Sequence, residues 1–188
     1  MHLNDIDTQL LEDGARGLGV VLSVQQLDQF CLYYRELRDW NNRFNLTSVT
    51  DWDRVQRIHF LDSLTIAWGL PEEKRFQGRL VDVGSGAGFP GLPLKIAFPD
   101  LQVTLVESVR KKARFLRHIV DTLNLLHTTV FDQRAEVLAR TNEHREIYDV
   151  VVARALYALP AVLEVTIPFC CVGGMVVVQK KGDLKTEI

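Results

Sequence analysis

Apolar positions recur at helical spacing through the first third of the chain. Ser23 and Gln26 form a capping-box pattern. After them Leu27, Phe30, Cys31, Tyr34 and Leu37 share one face, which predicts a helix over about 24–43. Asn41, Asn42 and Asn45 break the pattern. Thr50 and Asp53 mark a new start, with Val55, Ile58, Leu61 and Thr65 on one face to about Trp68. Gly69, Pro71 and Gly78 bracket a linker. From Arg79 the pattern changes. Short apolar runs at 79–84, 102–107, 127–132, 148–153 and 174–180 predict strands. Amphipathic stretches at about 91–98, 109–124, 134–142 and 159–170 predict helices. Strands alternating with helices imply an α/β fold, with a mostly parallel sheet covered on both faces. The expected organisation is one structural domain, with a helical segment at 1–75 packed on a core at 76–188. No repeat or low-complexity stretch interrupts it.

The segment RLVDVGSGAGFPGLPLKIAFPDLQVTLVES, Arg79 to Ser108, reads strand, tight glycine turn, helix, strand and then acid. This βαβ unit makes a pocket for a nucleoside-bearing cofactor. Gly84, Gly86 and Gly88 let the backbone approach a ligand, and Glu107 can accept from ribose hydroxyls. Two cofactors use such a site. A dinucleotide such as NAD wants G-x-G-x-x-G and amide donors for its pyrophosphate. Here the spacing is G-x-G-x-G, and Pro90 and Pro93 remove donors. Asp82, beside the loop, suits the cations of S-adenosylmethionine, and the loop amides suit its carboxylate. The residues therefore favour S-adenosylmethionine over NAD, which an NAD-linked oxidoreductase would use. Arg134-Ala135-Glu136 follows the third strand. It reads equally as an adenine border or as a helix start with an acid in its first turn.

Net charge is −2, so any nucleic-acid binding must come from a local patch. Three cysteines, two of them adjacent, are no disulfide framework, and a reduced cytoplasmic setting is expected. The N-terminus lacks a signal-peptide pattern, no apolar run is long enough for a membrane span, and no side-chain cluster has metal-ligand spacing.

Four separated motifs occur in order: WNNRFNLTSV, His59-Phe60-Leu61-Asp62-Ser63, VDVGSGAGFPGLPLKI, and VVARAL around Arg154. Over about residues 30–180 they resemble the ribosomal RNA small subunit methyltransferase G family, also called glucose-inhibited division protein B. The resemblance implies a Rossmann-like class I S-adenosylmethionine-dependent methyltransferase fold. It implies methyl transfer to N7 of a guanine in the 530 loop of 16S rRNA, with naked rRNA or the small ribosomal subunit as partner. A monomer is expected. By matched position, Gly84 and Phe89 would contact S-adenosylmethionine and Glu107 would hold its ribose. Ala135 and Glu136 would border the adenine, and Arg154 would act at the cofactor and substrate mouth as the catalytic residue. Family members usually continue by several tens of residues that add an antiparallel strand pair, so those strands are expected to be missing here.

Guanine N7 carries a lone pair and no proton, so methylation there needs placement rather than a general base. The sequence agrees. An exocyclic-amine methylase would show an Asn/Asp-Pro-Pro-aromatic loop where Ala153-Arg154-Ala155-Leu156-Tyr157 stands. A pyrimidine C5 methylase would need a thiolate near that loop, whereas Cys170 and Cys171 read as core. Arg154 reads as a donor to guanine O6 or a phosphate, or else as an ion-pair partner of an acid such as Asp82. Arg110, Lys111, Lys112, Arg114, Arg117 and His118 form a basic helix face, either phosphate-contacting or merely solvated. Arg35, Arg38, Arg43, Arg54 and Arg57 add charge, while Trp40, Phe44 and Trp52 read as core. His59 and Asp62 read as a structural hydrogen-bond pair that supports the pocket. The rival from another class is a non-catalytic RNA-binding or ribosome-assembly protein.

Overall fold

The computed structural model describes residues 6–70, 78–154 and 158–180. Three helical stretches among the described residues precede the sheet. Helix α1 (Gln9–Gly17) buries Leu11 and Ala15. Helix α2 (Val24–Phe44) starts at the expected capping box, with Ser23 accepting from the Gln26 amide and Gln26 accepting from the Ser23 amide. It ends at Asn45, whose φ of 48° is a left-handed cap that asparagine tolerates. Phe30, Tyr33 and Leu37 drive its inner face into the core.

The third stretch departs from the expected face. It runs as α3 (Trp52–Val55), a π segment (Gln56–Leu61) and α4 (Asp62–Gly69). Val55, His59, Ser63 and Ala67 are buried, as are Gln56, Phe60 and Leu64, while Thr65 is exposed and Ile58 and Leu61 lie half-buried. A repeat of four residues drifts off one face of a regular α-helix. The wider π turn absorbs that drift. Buried Gln56 accepts from the Leu11 amide and so satisfies a donor at the start of α1.

The remaining elements are β1 (Arg79–Val83), α5 (Gly91–Ala97), β2 (Gln102–Val106), α6 (Arg110–Thr122), β3 (Thr128–Phe131), α7 (Ala135–Leu138), β4 (Tyr148–Arg154), α8 (Leu159–Thr166) with a 3-10 turn (Ile167–Phe169), and β5 (Cys170–Gln179). The five strands form one parallel sheet in the order β3-β2-β1-β4-β5. Each face has its own core. Leu80, Val103, Leu105, Val150 and Val152 pack under α2, α4, α5 and α6. Val81, Val83, Val106, Val151 and Ala153 pack with Val162 and Phe169 on the other side. Alternation along each strand feeds both cores. Trp40, Phe44 and Trp52 pack against the first core as expected.

Two boundaries differ from the sequence reading. The helix expected over 134–142 is a single turn, α7. The last strand starts at Cys170 rather than 174, because a bulge at Gly173-Gly174 shifts its register between Tyr148 and Val150. A side chain at Gly174 would press on Cys170 Sγ and the Tyr148 carbonyl. Cys170 and Cys171 thus lie half-buried within the strand, not before it. Lys95 lies buried at the end of α5, where its ammonium donates to the Pro99 and Leu101 carbonyls.

Candidate functional site

Chain order reverses on the two sides of β1: β2 and β3 lie to one side, β4 and β5 to the other. A crevice opens outside the carboxyl ends of strands at such a switch point. A cleft of about 460 Å³ lies there. It is lined by Gly84, Ser85, Gly86, Ala87 and Phe89 after β1, by Glu107 after β2, by Gln133 to Glu136 after β3, and by Arg154 at the end of β4. Its volume suits a nucleoside-sized ligand.

The turn after β1 needs its glycines. Gly84, Gly86 and Gly88 all have positive φ, at 72°, 59° and 98°. Gly84 and Gly86 line the cleft. Gly88 lies behind it, where a Cβ would overlap Leu92 and the Tyr33 hydroxyl. That hydroxyl donates to the Ala87 carbonyl, so α2 braces the turn from beneath.

Glu107 is 5% exposed and reaches across to the turn. One carboxylate oxygen accepts from the Gly86 amide and the other from the Val109 amide, both at 2.8 Å. Each oxygen keeps a second acceptor position for a ligand hydroxyl.

Two expectations about the turn change. Asp82 does not line the cleft. It is fully buried on the α5 side of β1, where it accepts from the Gly91 amide at 2.9 Å. Its other oxygen has no hydrogen-bond partner among the described residues. Burial pushes its carboxyl up to about 7, against the pull of the Gly91 amide and of Arg154. Asp82 therefore pins the start of α5 instead of facing a ligand cation. The amides of Gly84, Ser85, Gly86, Gly88 and Phe89 are also committed. Gly84 and Ser85 donate to the Val106 carbonyl, and Gly88 and Phe89 to the Ser85 carbonyl. A pyrophosphate would find these donors taken, and so would a carboxylate. The cations lining the cleft, Lys112, Arg134 and Arg154, are the alternative anion partners.

Arg154 is held on three sides. Its guanidinium pairs with Asp62 at 3.2 Å, donates to the Ile58 carbonyl, and stands 3.4 Å from His59 Nδ1. It also lies over the Phe89 ring at 5.0 Å. The acid it meets is Asp62, not Asp82. His59 and Asp62, expected to pair with each other, meet through this arginine. His59 stacks on Phe89, with centroids 4.4 Å apart. Ala155 to Tyr157 lie outside the described residues.

Of the predicted site residues, Gly84, Gly86, Phe89, Glu107, Ala135, Glu136 and Arg154 share the cleft, and Gly88 does not line it. Leu46, Thr47 and Lys112 line it too, though the residue pattern assigned none of them a place there, and His59, expected only to support the pocket, lines it as well. The order of the motifs was their one signal. WNNRFNLTSV and the His59 segment come from the N-terminal helices, and only the fold brings them to the strand ends. On α6, Arg110, Lys111, Arg114 and Arg117 are exposed, and Arg110 and Arg117 each stand 3.9 Å from Asp132. No group of three or more His, Cys, Asp or Glu among the described residues could hold a metal. No helix of the described residues is long and apolar enough to cross a membrane.

Comparison with known proteins agrees with this geometry. The family model for rRNA small subunit methyltransferase G matches residues 26–188. A ribosomal RNA small subunit methyltransferase G from Roseiflexus sp. (strain RS-1) is 48% identical over 181 residues, which cover 95% of this chain and 75% of that one. A protein of the same name from Halalkalibacterium halodurans is 46% identical over 170 residues, covering 90% of this chain and 71% of that one. Solved structures share the fold. A Corynebacterium glutamicum protein superposes with a TM-score of 0.54 at 15% identity, covering 78% of this chain and 66% of that one. P. horikoshii TYW2, solved with MeSAdo, gives 0.52 at 12% identity over 68% of this chain and 45% of that one. The parallel sheet and its flanking helices are the class I S-adenosylmethionine-dependent methyltransferase fold, and the chain belongs to the rRNA small subunit methyltransferase G family.

Proposed function

We propose that the protein transfers a methyl group from S-adenosylmethionine to N7 of a guanine in the 530 loop of 16S rRNA. The observation that carries this reading is Glu107. It is a buried carboxylate at the end of β2, fixed by two amides and lining the cleft with acceptor positions to spare. That suits a ribose with two hydroxyls. Ala135 and Glu136 border the same end and fit an adenine. The committed amides of Gly84, Ser85, Gly86, Gly88 and Phe89 disfavour a dinucleotide, and the cations lining the cleft can meet the cofactor's carboxylate. When bound, the cofactor supplies an electrophilic methyl.

The residues of the chain then do three things. The glycine turn and Phe89 form one wall and keep bulk away from the ligand. Arg154, held by Asp62 and the Ile58 carbonyl, presents a fixed cation to the acceptor base or a phosphate. Placement does the rest, because N7 bears no proton to remove. Arg110, Lys111, Arg114 and Arg117 extend a basic face from the rim of the cleft toward RNA phosphates. Small-subunit rRNA, free or assembling, is the macromolecular partner, and the protein works in the cytoplasm as a monomer.

Calorimetric titration with S-adenosylhomocysteine and with NAD tests the cofactor. The first should bind and the second should not; binding of NAD alone overturns the reading. Labelled methyl should then pass from S-adenosylmethionine to small subunits from cells lacking the gene. Cofactor binding without transfer would favour a non-catalytic RNA-binding role.

A further inference from the structure

Thr47 belongs to the WNNRFNLTSV motif and lines the cleft on the side of the N-terminal helices. Three hydrogen bonds fix it there. Its amide donates to Asn41 Oδ1 at 2.8 Å, which ties the loop back to α2. The Val49 amide donates to Thr47 Oγ1 at 3.1 Å. His59 Nε2 stands 2.9 Å from the same oxygen.

The direction of that last bond follows from Arg154. A guanidinium has donors only, and its Nη2 stands 3.4 Å from His59 Nδ1. Nδ1 therefore accepts, the ring proton lies on Nε2, and His59 donates to Thr47. The stack on Phe89 holds the ring in this orientation. Both lone pairs of the Thr47 hydroxyl are then used as acceptors. What it still offers is its proton. The run from Arg154 through His59 to Thr47 presets the hydroxyl as a donor at the cleft wall.

We infer that Thr47 is a specificity-determining residue whose hydroxyl donates to O6 of the acceptor guanine. The inference rests on the guanine-N7 reading above. On the Hoogsteen edge O6 and N7 are neighbours, and both accept. A donor on O6 leaves N7 bare for methyl transfer and fixes its position. Adenine puts an amino group at the O6 position, so it would set donor against donor. Placement and choice of base then come from one contact.

The test is a double-mutant cycle between protein and base. Thr47→Val keeps the shape and removes the donor, while Thr47→Ser keeps the donor. The RNA is small-subunit rRNA carrying either guanine or 2-aminopurine, which retains N7 and lacks O6, at the methylated position. For guanine, Thr47→Val should lower kcat/KM by about tenfold, the scale of one lost hydrogen bond. Thr47→Ser should stay close to wild type. For 2-aminopurine, wild type and Thr47→Val should be equal. S-adenosylhomocysteine affinity should not change in either variant. Equal losses on both bases would make the role structural, and lost S-adenosylhomocysteine affinity would assign the hydroxyl to the cofactor; either result overturns the inference. An unaffected Thr47→Val also overturns it while leaving the guanine reading intact. A wild-type protein that methylates no guanine removes both.

Discussion

Asp82 shows how one buried charge shapes a site it does not touch. Its carboxyl holds the Gly91 amide and titrates near 7 when folded, against an ordinary value of 3.8. Between those two values the folded chain keeps a proton that the unfolded chain has released. Stability therefore falls as pH rises from about 4 to about 7. Asp82→Asn can still accept from Gly91 and cannot ionise. Its melting temperature should lose that downward slope, and a pH profile of thermal unfolding parallel to wild type would contradict the assignment. Glu107 carries the complementary prediction. Glu107→Ala should weaken S-adenosylhomocysteine binding by about 1–3 kcal/mol, the scale of lost hydrogen bonds to a charged group. An unchanged dissociation constant by calorimetry would remove its role. Glu107 was legible in the sequence, because an acid that ends the second strand of a βαβ unit has one natural place. The orientation of Asp82 was not. Both faces of a parallel strand are buried, so alternation does not say which neighbour lies over each side chain.

At the scale of elements, α2 is the strut beneath the site. Gln26 closes its capping box and also donates to the Ile96 and Ala97 carbonyls at the end of α5. Gln29 donates to the Leu123 carbonyl just past the end of α6. Two helices that flank the cleft thus take their C-terminal satisfaction from α2. Gln26→Ala should cost about 1–2 kcal/mol in urea unfolding, the scale of a lost cap. A loss below a few tenths would show that the strut is dispensable. The capping box announced α2 in the sequence, since its signal is local. The stretch from Trp52 to Gly69 was legible as helix but not in its facing. A π turn changes the phase of the buried stripe, and no single residue signals it. The start of β5 was hidden for a similar reason, because Gly173-Gly174 reads as a strand boundary yet forms a bulge within the strand.

At the scale of the whole molecule, net charge is −2, yet α6 presents cations on one exposed face. Arg110 and Arg117 share Asp132, while Lys111 and Arg114 have no ion pair within 4.0 Å among the described residues. Replacing Lys111 and Arg114 together by alanine should weaken RNA binding and flatten its dependence on log salt by about 1–2. An unchanged salt slope would make this face merely solvated. The parallel sheet and a cofactor pocket at its glycine turn follow from alternating elements visible in the sequence, whereas the strand order that makes a switch point at β1 came from the structure. The contribution of Leu46, Thr47 and His59 was not visible as contacts, because it depends on how the N-terminal helices close over the strand ends. The central claim is that this cleft directs one methyl group to one guanine N7. Mass mapping of 16S rRNA from cells with and without the gene tests it most directly. The account predicts a single 7-methylguanosine in the 530 loop that vanishes with the gene and returns with the intact chain. An identical methylation map in both strains, or a lost methyl on another atom or base, would contradict it.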